Sequence, residues 1–517
     1  METMEISTIV RAGADRHGDA AAVTCGEVTQ TYAQLFDRSC RLANALAALG
    51  VRPGERVATL SDNCAEIVEQ MTAIALGGYV RTALYAHNSA ESNLYLLNLV
   101  EASALIVDAK LYATIAPQLH DAPALRRVLV FGGRAPAGAI DYEAALAGAP
   151  SDDPACVLRD DDPHVIRFSS GTTGKPKGIM HTVAGWRAVA TEMALVMPKL
   201  GETDRYLAAG PLAHAAQLPL FATLAAGGSV VVMTAFDPAH FIELVEQKRC
   251  TITVLVPTMI HMIATLPHAR TADLGSLRAV FYGAAPISER TLADGRAIWG
   301  DIMYQMYGQS EAVPLTVLRP SDHAGQRLRS AGRPTPNAVI RIVDENGNDV
   351  AQGQVGEIAA CTPAAMARIW HDDEATAQRL LPDGSVLTRD MGYLDDDGFL
   401  YLADRKEDMI ISGGFNIWPA ELENALASHP AVAQVAVVGV PHEKWGETPK
   451  AVIVLRPGQH ADEQELIEWS RQRVGAVKRV TSVDFTDSLP TSPVGKVLRR
   501  EVKKQFWQGV TADIAGA

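Results

Sequence analysis

Cysteine is scarce and scattered in this chain. Its six cysteines (Cys25, Cys40, Cys64, Cys156, Cys250 and Cys361) include no C-x-x-C pair in 517 residues. Neither a disulfide framework nor a zinc site is suggested, and a reducing compartment fits best. Basic residues are outnumbered, with 46 Lys and Arg against 60 Asp and Glu, a net charge of −14. A nucleic-acid partner bound through a basic surface is therefore not expected. No apolar stretch reaches the roughly 20 residues that span a bilayer. The opening residues, METMEISTIVRAG, carry acids where a secretory signal needs a basic start and an apolar run. Repeats and low-complexity tracts are also missing. The expectation is a soluble cytoplasmic protein, long enough for more than one domain.

What is present alternates. Thr31 is placed to cap a helix over 32–49, with Leu35, Leu42, Leu46 and Leu49 apolar and Gly50 to end it. Short apolar runs at 127–131, 229–234, 251–256 and 279–282 read as buried strands. This alternation predicts layered α/β structure on a largely parallel sheet. After Ala338 the pattern turns to β. AVIRIVDENGNDV reads as a hairpin turning at Glu345-Asn346-Gly347, and GEIAAC and GFLYLADR read as further strands. Past Asp404, the spans 419–427 and 463–474 read as helices, and 432–440 and 450–455 as strands. The expected fold class is α/β, with a large N-terminal domain over 1–403 and a β-rich subdomain from about 338. A hinge at 404–408 would join it to a small mobile α+β domain over 409–517.

The densest chemical signal is SSGTTGKPKG, residues 169–178. Glycines let backbone approach a ligand closely, successive amides and hydroxyls can surround an anion, and lysines add charge. A polyphosphate is the natural occupant. The loop is not a Walker motif, because Ser169 stands where that motif needs glycine.

Other segments give that loop a context. PLAHAAQLP (211–219), YGAAPIS (282–288), YGQSE (307–311) and SAGRP (330–334) follow in order, then the long run at 388–423 and PTSPVGKVLRRE (490–501). Together with SSGTTGKPKG they resemble the adenylate-forming superfamily: acyl- and aryl-CoA synthetases, peptide-synthetase adenylation domains and luciferases. The resemblance covers nearly the whole chain.

That resemblance implies attack of a carboxylate on the α-phosphorus of ATP. Ser169, Ser170, Gly171, Thr172, Thr173, Gly174 and Lys177 would hold the β- and γ-phosphates. Glu311, with Thr173, would hold Mg²⁺. Gly283, Ala284 and Ala285 would present backbone to the adenine, with Tyr307 against the ring and Gly308, Gln309 and Ser310 beside it. Asp390 would accept both ribose hydroxyls, helped by Arg405. Lys496 would be the catalytic lysine bridging carboxylate and α-phosphate. Glu407 would be the pivot of a domain rotation, and Gly413 and Gly414 the floor of a thiol tunnel near Trp445. The acyl pocket would comprise His214, Ala215, Gln217, Phe281, Met306, Val313 and Pro314, with His214 beside the reacting group. No acid is placed in that set to receive an α-amino group, so aryl, arylacrylic or medium acyl acids are expected.

Glu407 departs from the family pattern, where Asp or Lys is more common, and so do two further residues and one run. Arg389 stands where glycine is usual, and Ser310 replaces a threonine. Val477-Lys478-Arg479-Val480-Thr481 lacks the aromatic, proline and second lysine that many CoA ligases carry there. CoA is the expected acceptor. A carrier-protein thiol or an amine stays open, as does activation of an unusual oxyanion such as nitrite. Readings of another class, a P-loop ATPase or a silent scaffold, fit less well: the glycine spacing is wrong for the first, and the charged site residues are retained against the second.

Overall fold

The computed structural model describes residues 4–169, 176–405, 408–412, 415–442, 445–491 and 497–507. Two large sheets build the N-terminal part. One is eight-stranded and centred on Arg56–Leu60, Val80–Ala83 and Ala104–Asp108. The other is nine-stranded and runs through Arg205–Ala208, Ile252–Leu255, Ala279–Gly283 and Met303–Gln309. Neighbouring strands at these centres pair in parallel. Runs such as Ala104–Val107 are fully buried, as parallel strands covered on both faces must be.

The expected helix forms over Tyr32–Ala48. Thr31 closes its N-terminus reciprocally: Oγ1 accepts from Gln34 N at 3.2 Å, and Gln34 Oε1 accepts from Thr31 N at 2.9 Å. The expected strands form at Arg127–Phe131, Ser229–Val232, Ile252–Leu255 and Ala279–Gly283, the second and third shorter than the apolar runs that announced them. The main core lies between the sheets. Val165 of one sheet and Tyr206, Val254 and Phe281 of the other enclose Trp186 of the helix Val183–Val196.

The β-rich stretch is a separate four-stranded antiparallel sheet of Val339–Val343, Gly356–Cys361, Val386–Leu394 and Leu400–Arg405. The hairpin expected within 338–350 is a correction. Its turn exists, but the returning arm makes one bridge, Val343 to Asp349. The strand's main partner is Gly356–Cys361. Asp344 Oδ1 accepts the N–H groups of Asn346 and Asn348, both at 2.9 Å, and this local bonding displaces a strand ladder.

In the C-terminal part, Gly446–Leu455 pairs antiparallel with Val432–His442 and parallel with Ser482–Phe485. Both hairpin strands run farther than the sequence patterns suggested. Alternation assigns the faces: Val437, Ala451 and Ile453 pack with Leu422, Leu426 and Leu466 of the helices Pro419–Ala427 and Glu463–Lys478. Ala436, Val438 and Val452 pack with Val502 of the helix Arg499–Trp507 on the other face. The helix expected to stop at Val474 continues to Lys478 across a break at Gly475, whose φ is 85°. No helix among the described residues is long and apolar enough to cross a membrane.

Candidate functional site

Two adjacent parallel strands bring two distant motifs together. Ala279–Gly283 lies beside Met303–Gln309, with Gly283 opposite Met306. Glycine at 283 is a packing requirement, since a Cβ there would lie 2.1 Å from Met306 O. Ala284 follows with φ of 64°, turning the chain away from the strand end. Gln309 pairs with Ala312, so Ser310-Glu311 forms the tip of a tight turn. A Cβ at Gly308 would meet Val313 Cγ2 at 2.8 Å, which lets this hairpin close only with glycine.

The third motif arrives from the small antiparallel sheet. Asp390 Oδ2 accepts from Tyr307 Oη at 2.7 Å and from Gln309 Nε2 at 2.5 Å. Arg405 lies opposite Asp390 in the ladder. Arg389, the residue standing for the usual glycine, has φ of 63°. This left-handed backbone is what glycine adopts without cost, and here an arginine carries it. Its amide donates to Glu357 Oε1 at 3.1 Å.

Arg379 ties these groups to the buried Glu311, and sequence reasoning missed it. Its Nη2 donates to Gln309 Oε1 at 3.2 Å and sits 3.1 Å from Glu311 Oε1. Glu311 is therefore no surface acid: it is 8% exposed, and its carbonyl accepts from Met366 N at 2.6 Å. His181 Nε2 reaches the Ser310 carbonyl at 2.8 Å, and burial holds its imidazole down to about 4.

Ser169 and Lys177 pair across an antiparallel ladder, so they flank the phosphate-type loop at its base. Lys177 Nζ lies 3.2 Å from Asp372 Oδ2, another partner the sequence did not announce. Ser170, Gly171, Thr172, Thr173, Gly174, Glu407, Gly413, Gly414 and Lys496 lie outside the described residues, as does the side chain of Arg405. Trp445 is 45% exposed, which sets aside a packed core role, and its amide donates to His442 Nδ1 at 3.2 Å.

The expected acyl-pocket residues gather around the inter-sheet core. His214 stacks on Tyr85, with centroids 4.4 Å apart and planes 13° apart. Burial, reinforced by Arg167, pushes its imidazole down to about 4, so it is neutral at pH 7. Ala215 opens the short turn ending at Gln217, which is buried and donates to His214 O at 3.0 Å. Phe281 stacks on Tyr304 at 4.8 Å, and Met306 and Val313 share its core cluster. The Val313–Pro314 peptide is cis. Tyr85, Arg81 and Arg167 were not anticipated here. Their signal was faint: one arginine inside each of two short, mostly apolar runs, VRTAL at 80–84 and HVIRF at 164–168, with Tyr85 directly after the first.

Comparison with known proteins agrees with this arrangement. The family described as AMP-binding enzyme matches residues 10–370, and the AMP-binding enzyme C-terminal domain matches residues 421–496. A feruloyl-CoA synthase of Amycolatopsis sp is 40% identical over 491 residues, covering 94% of this chain and 96% of that protein. A medium/long-chain-fatty-acid–CoA ligase of Mycobacterium tuberculosis is 37% identical over 508 residues, covering 96% and 89%. Among solved structures, the amide bond synthetase McbA from Marinactinospora thermotolerans superposes with a TM-score of 0.88 at 30% identity, covering 97% of this chain and 100% of that one. With both family domains matched in order and the nucleotide-type network assembled from the same motifs, the chain belongs to the AMP-binding enzymes, the adenylate-forming superfamily of ligases.

Proposed function

We propose that this enzyme is an AMP-forming acid–CoA ligase. The observation that carries the reading is the continuous network from Tyr307 and Asp390 through Gln309 and Arg379 to Glu311. It gives a nucleotide two ends to bind: a carboxylate for the ribose hydroxyls and a second carboxylate towards the phosphates. Both reactants are anions, so alignment and charge screening are the main catalytic tasks. A carboxylate oxygen attacks the α-phosphorus, the bond to the bridging oxygen breaks, and pyrophosphate leaves with the electron pair. The CoA thiolate then attacks the acyl carbon, and AMP leaves.

Residues take separate roles in this reading. Asp390 and Arg405 hold the ribose, Tyr307 and the 283–285 backbone hold the base, and the 169–178 loop holds the β- and γ-phosphates. Lys496 bridges carboxylate and α-phosphate. Glu311 fits Mg²⁺, because nucleotide-bound Mg²⁺ takes one or two carboxylates with the rest of its shell from phosphates and water. Thr173 would join it. Bound there, the ion would offset the phosphate charge. Among the described residues no group of three or more Asp, Glu, His or Cys side chains is placed to hold a metal ion.

A neutral His214 stacked on Tyr85 makes one wall of the acyl site, and with Phe281, Met306 and Val313 it suits aryl or medium acyl acids. A second acceptor has one observation in its favour: Lys478, the lysine left in the altered 477–481 run, is held by Glu421 at 2.8 Å. That pairing competes with any contact to the nucleotide end of CoA.

The test is a mass-spectrometric end-point assay with ATP, Mg²⁺ and a panel of aryl, arylacrylic and aliphatic acids, with and without CoA. AMP with a thioester from one acid class is the expected result. AMP without thioester would move the acceptor to a carrier thiol or an amine. No AMP with any acid or small oxyanion would overturn the reading.

A further inference from the structure

Beneath His214 the two large sheets enclose a cationic surplus. Arg81, on Val80–Ala83, and Arg167, on Pro163–Ser169, stand on neighbouring parallel strands, where Arg81 pairs with Val165. Residues 81, 165 and 167 share one sheet face by alternation, so both guanidinium groups project towards the inter-sheet core. Both lie over the Trp186 ring, at 5.7 and 5.8 Å from its centroid. Arg81 is 3% exposed. Arg167 keeps some open surface, yet its Nη1 is buried.

Among the described residues, donors here outnumber acceptors. Arg81 Nη2 donates to Gln217 Oε1, while Arg81 Nε and Arg167 Nη1 are buried without hydrogen-bond partners among the described residues. Neither arginine forms a salt bridge with a described acid. The nearby Glu311 is already paired with Arg379. The neighbouring imidazoles add no charge, because burial holds His164 to about 3 and His214 to about 4. Burial and Arg167 also press the Arg81 guanidinium down to about 9, the direction expected of a cation without a counter-ion. An indole face stabilises a cation but does not neutralise it. Buried charge of this kind calls for an anion. Between the two arginines lies a cavity of about 10 Å³, walled by Ala83, Val165 and Ala213 and reaching Gln217. It has room for about one water-sized group, the size of a single oxygen of an oxyanion.

We propose that Arg81 and Arg167, with Gln217, form an oxyanion-receiving floor of the acyl site, so that the activated substrate brings a second oxyanionic group to this depth or is itself a small oxyanion. The proposal rests on the acid-activating reading above and departs from its substrate class, replacing the aryl or medium acyl acid with one that carries a second oxyanionic group or with a small oxyanion. Two sources share the chemistry: the far carboxylate of a short dicarboxylic acid, and a small free oxyanion. In the second case an oxygen of the anion attacks the α-phosphorus, the bond to pyrophosphate breaks, and no electrons are exchanged.

The test uses the full chain. Thermal unfolding at constant ionic strength compares succinate, nitrite and hexanoate, without ATP. Succinate or nitrite is expected to raise Tm and hexanoate not to, and Arg81→Met should abolish the rise. AMP release with ATP and Mg²⁺ is then measured for the same three. Arg81→Met should lower kcat/KM for the oxyanionic substrate by about 100-fold, the loss of a buried charge partner. If Arg81→Met does not fold, Gln217→Leu and the wild-type Tm series carry the test. Equal Tm responses to all three anions, or hexanoate turned over better than succinate and nitrite, would overturn the proposal and leave ordered water as the partner of the arginines. Absence of AMP from these three and from the whole acid panel above would instead remove the ligase reading, with the Tm series still deciding the anion site.

Discussion

Tyr307 donates its phenol proton to Asp390 across 83 residues of chain, at 2.7 Å. The bond preorganises the carboxylate assigned to the ribose, and Gln309 adds a second donor to the same oxygen. Asp390→Ala should raise the KM for ATP about 10- to 100-fold, the scale of hydrogen bonds to a charged group. Tyr307→Phe should cost about tenfold or less. Steady-state kinetics in ATP checks both, and equal effects would mean that the Tyr307 hydroxyl itself contacts the nucleotide.

Glu311 and Arg379 are a nearly buried ion pair, with side chains 10% and 13% exposed. Arg379→Met leaves a buried carboxylate unpaired and should cost about 3 kcal/mol of stability. Mg²⁺-ATP should then raise Tm more in the variant than in the wild type, since it supplies a cation to Glu311. Differential scanning fluorimetry reads this, and an equal rise in both proteins would detach Glu311 from the metal.

Arg389 carries a left-handed backbone. Arg389→Gly should stabilise the protein by about 1 kcal/mol in a denaturant melt while leaving the KM for ATP within about twofold. A large KM change would give the Arg389 side chain a role at the nucleotide.

Burial holds several imidazoles below the ordinary 6.5, most strongly His164 at about 3, with Arg81 adding to the effect, and His181 and His214 at about 4, with Arg167 adding at both; His261 and His323 are lowered in the same direction. The unfolded chain therefore binds more protons than the folded one below about pH 6.5. Their stabilisation is complete above that pH and is lost as pH falls towards 4, and for His164 towards 3. Tm should fall steadily from pH 7 to 4.5, less steeply in His181→Gln. The kcat/KM profile should show no limb near 6.5 from His214.

Lys496→Ala should nearly abolish adenylation, measured by pyrophosphate exchange, with ATP affinity by calorimetry largely intact. Normal exchange would transfer the role elsewhere.

Much of the site was legible because its motifs are local chemistry. Gly283 and Gly308 are glycines that strand packing demands, and Thr31 and Gln34 cap a helix from within four residues. Arg379, Asp372 and Tyr85 were not legible. Each acts on a residue 68 to 195 positions away, and no local pattern encodes such a meeting.

By itself, the sequence determined the α/β class, the order of the motifs and the type of chemistry, since periodicity and small-residue loops act over a few residues. Only the tertiary structure decided which groups meet. Parallel register placed Arg81 beside Val165, and alternation turned it with Arg167 into one buried space. Short-range Asp344 bonds likewise overrode the expected hairpin. Strand order and register are settled by how whole sheets bury their faces, and a linear pattern of residues does not carry that choice.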